Sequence, residues 1–285
     1  QEESNMENIR SFAVSSIESG LNGLLLTLWD DDSPHFELYM RGILAFAEYS
    51  WIGDKRNKEE LKSAFRQREY GYTLADNNEA FITELESPVA FWKNALLKKN
   101  QRNFLHKMTD PLEEAVIDFP DKDNIGAWSL ANEERLKTAA QILSQTDSIA
   151  KKIENARSIA LRNDHNLQVY GQVNKLAGYS PKMLLALRDY DMADSREDII
   201  ATASTLKELE SEFGSLRKEL EMVYSKTRIL TKPDNYILDQ DHHVHLANQS
   251  INFDWQFYAE MMFFKKLNQE LAKEIYMENA DPLKK

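Results

Sequence analysis

Apolar residues recur three and four positions apart along most of this chain, the spacing that gathers them on one face of an α-helix. Residues 5–19 carry Met6, Ile9, Phe12, Ala13 and Ile17 in that register, and Gly20 and Gly23 bracket the stop. The pattern then changes. Leu24 to Leu28 is an unbroken apolar run, which predicts a strand over 23–29 covered on both faces. The run ends abruptly in Trp29-Asp30-Asp31-Asp32. Pro34 suits the first turn of a helix over 34–52, with Leu38, Ile43, Leu44, Phe46, Ala47 and Trp51 as its apolar positions. Glu59 to Arg68 predicts a shorter helix around Leu61, Ala64 and Phe65.

From Asn77 to Asp123 the signal is choppy, with short helices expected near 78–85, 88–99 and 110–117 and punctuation at Pro88, Pro111 and Pro120. After Trp128 long helices return. One is expected over 131–162, with Leu136, Ala139, Leu143, Ala150, Ile153 and Ala160 on one face. A second covers 165–190, interrupted around Gly178-Tyr-Ser-Pro181. A third, over 195–227, alternates three and four from Ile199 through Leu206, Phe213 and Leu220 to Val223, the seam of helices crossing at small angles. Asp194 with Glu197 offers its N-terminal cap. A last helix spans about 253–277. The expected fold is therefore mainly α: a long antiparallel helical bundle over 128–285, a short-helix connector over 76–127, and a strand-plus-helix unit within 1–75.

Composition narrows the classes. Among 285 residues, Gly (9) and Pro (7) are too scarce for a turn-rich β fold. The net charge of −12, with no long basic run, argues against a nucleic-acid partner. No apolar segment approaches the ~20 residues that span a bilayer, so no membrane partner is expected. Cys is absent, which excludes thiolate catalysis and Cys-based zinc sites. The chain begins with Gln and its first residues are polar, which we read as the back part of something larger.

Three stretches carry candidate chemistry. In Trp29-Asp30-Asp31-Asp32, an indole face can stack on a sugar ring while carboxylates accept hydrogen bonds from its hydroxyls. The same acids can equally form a helix-entry cap with Ser33. Consecutive positions rarely converge on one cation, so no metal is assigned. In Asp239-Gln-Asp241-His242-His243-Val-His245, the spacing fits no zinc motif, and we read a polar loop capping the last helix rather than a metal site. The aromatic run Phe253 to Phe264 is read as core. No phosphate loop, dinucleotide fingerprint or nucleophile elbow occurs, so no cofactor is expected.

Gly23-Leu-Leu-Leu-Thr-Leu-Trp29-Asp-Asp31, followed by Arg41-Gly-Ile-Leu-Ala-Phe-Ala-Glu-Tyr-Ser-Trp51, resembles the end of the catalytic barrel of family 20 β-N-acetylhexosaminidases. In that family a strand closes in Trp-Gly-Glu or Trp-Gly-Asp, and a helix carrying an Arg and then Ala-Glu-x-x-Trp follows. The resemblance covers about the first 70 residues and departs from the family at Asp30, where Gly is usual. It implies that 1–75 is the remnant βα unit of a TIM-type (β/α)8 barrel, in which Trp29 walls the subsite for a terminal N-acetylhexosamine. It gives Asp31, or Asp32 in its place, the role of binding that sugar's outer hydroxyls, and makes Ala47, Glu48 and Trp51 structural packing.

The family's general acid and acetamide-orienting Asp lie on an earlier strand, and no His-x-Gly-Gly-Asp-Glu motif occurs here. No catalytic residue is therefore assigned, and the chain alone is expected to be inactive. The resemblance implies a periplasmic or secreted setting and the rest of a barrel as partner. A strand without neighbours would also predict pairing with a second copy. The rival reading is a non-catalytic helical protein-interaction module.

Overall fold

The computed structural model describes residues 2–28, 36–71, 80–98, 102–233 and 250–280. Over these residues the protein is mainly helical, and it contains no strand, only one bridge between Leu97 and Val116. The first helices are α1 (Glu2–Glu18), α2 (Met40–Ile52) and α3 (Lys58–Tyr70), with a 3-10 turn at Phe36–Tyr39 leading into α2. Short helices α4 (Ala80–Glu84), α5 (Glu86–Asn94), α6 (Pro111–Glu114) and α7 (Ala127–Ala131) follow. The long helices are α8 (Glu133–Ile159), α9 (Asp164–Met192), α10 (Arg196–Tyr224) and α11 (Tyr258–Ala280).

The tight connections at 160–163 and 193–195 fold α8, α9 and α10 into antiparallel neighbours. α9 is the axis. It buries residues around its whole circumference, from Leu167 and Tyr170 through Met183 to Tyr190, because α5, α7, α8 and α10 all pack against it. Pro181 lies inside this continuous helix, where an interruption was expected. Proline forfeits a hydrogen bond to the carbonyl four residues back, at roughly 3 kcal/mol. Dense burial of Tyr179, Ser180, Pro181 and Met183 outweighs that loss.

The expected seam of α10 forms: Leu206, Phe213, Leu216, Leu220 and Val223 are buried. Its cap sits one residue later than expected, since the Asp198 backbone N–H donates to Ser195 Oγ at 3.1 Å. The face of α8 is also rotated from the expected one. Ile142, Thr146 and Ile149 join Leu136, Ala139 and Ile153 inside, while Ala150 faces solvent. The aromatic run is core, as its composition implied. Phe264 packs against Tyr179 and Phe213, and Phe257 meets Phe213 edge to face.

The main apolar core runs on from the bundle into the first seventy residues through Leu38, Phe65 and Tyr70. Loop 160–163 fastens this junction. Leu161 N–H donates to the Tyr70 carbonyl at 2.8 Å, and Asn163 Nδ2 donates to the Glu69 carbonyl at 2.8 Å. These bonds satisfy carbonyls left over at the C-terminal end of α3. Asn163 holds a left-handed backbone (φ 55°) to reach them. A buried ion pair ties the connector to α11: Arg102 grips both oxygens of Glu260, at 2.9 and 2.5 Å, and lies 4.1 Å from the Trp92 ring centroid.

The expected strand is a correction. Over the described part of 23–29, residues 23–28 form neither helix nor ladder, and Leu25 is 83% exposed rather than covered on both faces. An apolar run becomes a strand only when a neighbour supplies its hydrogen bonds, and no described segment does so. The face of α2 is corrected as well. Arg41, Ala45 and Tyr49 are buried, whereas Ala47 is exposed and Trp51 is 89% exposed, so the indole is not packing.

Candidate functional site

The motif singled out in the sequence, Trp29, Asp31 and Asp32, lies outside the described residues, as do the loop histidines His242, His243 and His245. The structure does describe the chain on either side of Trp29–Asp32 and a groove lined by residues from both of those flanks. Gly20, at φ 71°, ends α1 and turns the chain towards the apolar run. The Phe36–Tyr39 turn then delivers Leu38, buried, into the main core and starts α2.

A groove of about 610 Å³ opens between α1, α2 and α5. Leu28 and Leu38, the described side chains nearest the motif on each side, both line it. Its floor is apolar, with Leu26, Ile43 and Val89. Its rim is polar and almost neutral, with Asn5 and Asn8 from α1, Tyr39 before α2, and Glu86 and Lys93 two turns apart on α5. Amide and phenol groups of this kind can donate to and accept from hydroxyls. An apolar floor with a few polar groups at the edge suits a small ligand that has one apolar and one hydroxylated face.

The pairing of Asn5 and Asn8, one turn apart on α1 and interleaved with buried Met6, was the signal in the sequence that α1 has a polar edge. Glu86 and Lys93 gave no such signal, because their nearness to α1 depends on how α5 packs against α9. Among the described residues no group of three or more His, Asp or Glu is placed to hold a metal ion, and no helix is long and apolar enough to cross a membrane. No family model, curated protein or solved structure matches this chain.

Proposed function

We propose that this chain is the C-terminal part of a glycoside hydrolase similar to family 20 β-N-acetylhexosaminidases, in which it positions the terminal sugar and leaves the proton transfer to the rest of the enzyme. The observation that carries the reading is the groove. Its volume is in the range of small-molecule sites, and residues on both sides of the Trp29–Asp32 motif line it. In this reading Trp29 stacks on the apolar face of an N-acetylhexosamine, and Asp31, or Asp32 in its place, accepts hydrogen bonds from its outer hydroxyls. Positioning of this kind lowers the barrier by presenting the glycosidic oxygen to an acid already in place. The acid itself, and the carboxylate that orients the acetamide, would come from residues other than these 285.

The exposed apolar run supports the same reading. A barrel strand surrounded by its neighbours would cover Leu25 and Leu28, which here face solvent. Those side chains, with Phe12 and Leu21, also favour a second reading, a helical module that docks on a protein partner. Kinetics separate the two. In the larger enzyme, Trp29→Ala should lower kcat/KM for an aryl N-acetyl-β-glucosaminide by about a hundredfold, with thermal stability retained. Unchanged kinetics would overturn the sugar-positioning role proposed for this chain and favour the docking module.

A further inference from the structure

A second cleft, of about 430 Å³, separates α2 from α3. Gly53, at φ 63°, reverses the chain after α2, and Asn57 with Glu60 starts α3 in a capping box, so the two helices diverge from a tight turn. That turn carries Arg56 back over Glu48. Arg56 pairs with one oxygen of the Glu48 carboxylate, and Arg68, from the last turn of α3, reaches the other at 3.3 Å. Glu48 is only 10% exposed, so it forms the floor between two guanidinium groups.

One carboxylate between two guanidiniums leaves a net positive charge, and each guanidinium has five N–H donors to place. Arg41 and Lys62 also line the cleft, and since Lys62 pairs with Glu59 at 3.4 Å, the acids set against these four cations are Glu48, Glu59 and Glu69. This is an electropositive site on a chain whose net charge is −12. The remaining wall is apolar, with Leu44, Leu61 and Phe65. Trp51 stands at the mouth, 89% exposed, although Ala45 and Tyr49 on the same helix are buried.

We propose that this cleft binds an acidic sugar, a pyranose unit bearing a sulfate or a carboxylate, with the oxyanion held by Arg56 and Arg68 and the ring stacked on Trp51. The oxyanion part rests on the cleft alone; the choice of a sugar rests on the glycosidase reading above. A planar guanidinium matches an oxyanion with two parallel hydrogen bonds, and an exposed indole offers a flat apolar face to a pyranose. Glu48 acts as a positioning residue: it orients both guanidiniums without touching the ligand. The cleft adds a subsite for an acidic group separate from the groove between α1, α2 and α5, since no described residue lines both.

Calorimetric titration of the 285-residue chain tests this with three probes: N-acetylglucosamine 6-sulfate, neutral N-acetylglucosamine, and inorganic sulfate. The sulfated sugar should bind saturably and at least about tenfold more tightly than either of the others. Arg68→Gln and Trp51→Ala should each weaken it by about tenfold or more. Both side chains are largely exposed, so an unchanged unfolding temperature accompanies each variant. No heat with the sulfated sugar, equal affinity for the neutral one, sulfate alone matching it, or indifference to both substitutions would each overturn the proposal. The readout needs no hydrolysis. An active hexosaminidase whose cleft ignores the sulfated probe would sink this inference alone. Charge-dependent binding by a chain whose larger enzyme lacks activity would sink only the glycosidase reading.

Discussion

Gly178 faces α8 without room for a side chain: a Cβ added there would stand 2.9 Å from Thr146 Oγ1. Thr146 is buried, its hydroxyl donates to the Leu143 carbonyl at 2.9 Å, and Asn174 Nδ2 donates to the Thr146 carbonyl at 2.9 Å, so the threonine has little room to retreat. Gly178→Ala should therefore destabilise the protein by about 1–3 kcal/mol, the scale of an overpacked core, despite alanine's better helix propensity. Thr146→Ala in the same chain removes the obstructing oxygen and should restore most of the loss in a urea titration. A Gly178→Ala protein as stable as the parent would show that the helices can separate at no cost. Trp51 teaches the opposite lesson at this scale. Its place in a helix signature reads as packing, yet the structure leaves the indole in solvent, because the inward face of α2 falls on Arg41, Ala45 and Tyr49 instead. Arg56 and Arg68 were illegible as partners of Glu48, since eight and twenty positions of separation carry no local signal.

Long helices were the most legible elements. α8, α9, α10 and α11 all lie within or close to the spans that the 3.6-residue period predicts, because burying one face decides helix formation more than any single residue does. The strand was misread for a complementary reason. A short apolar run has no period of its own, and whether it becomes a strand depends on neighbours that the local sequence does not describe. The loops between helices were also invisible, although loop 160–163 joins the bundle to α3. Beside that loop, Arg157 Nε donates to Asp164 Oδ1 at 2.9 Å across the α8–α9 turn. That hydrogen bond from Arg157, outweighing partial burial, holds the Asp164 carboxyl below its ordinary range. A carboxylate with a lowered folded-state pKa adds stability above its unfolded pKa, near 4, and loses it as pH falls through the folded value. Asp164→Asn should thus cost on the order of 0.5 kcal/mol at pH 7, the scale of a solvent-exposed pair. The variant and the parent should converge in unfolding temperature as pH falls through that lowered value. A gap that stays the same from pH 7 down into the acid range would mean that packing, not charge, links the two helices.

Across the whole molecule, apolar surface is unevenly covered. The bundle closes around α9 but leaves single apolar side chains such as Leu161 and Ile200 in solvent, whereas Phe12, Leu21, Leu25 and Leu28 stay exposed within one short stretch of chain. Surface of that kind is either covered by a partner or drives association. In light scattering, the 285-residue chain should self-associate, and Leu25→Glu should return it to a monomer. A parent chain that is monomeric at the same concentration would show that this surface is tolerated in water. The motif that suggested a sugar site was legible as residues, while the groove that its described flanking residues line became visible only once α1, α2 and α5 were packed together. The account turns on whether that groove belongs to a working glycosidase. Its most direct test is the release of nitrophenol from 4-nitrophenyl N-acetyl-β-D-glucosaminide, measured for the product of the whole reading frame and for these 285 residues alone. Turnover by the larger protein of the proposed reading, and none by the chain by itself, is the expected result. Turnover by the chain alone, or an inert larger protein, would contradict it.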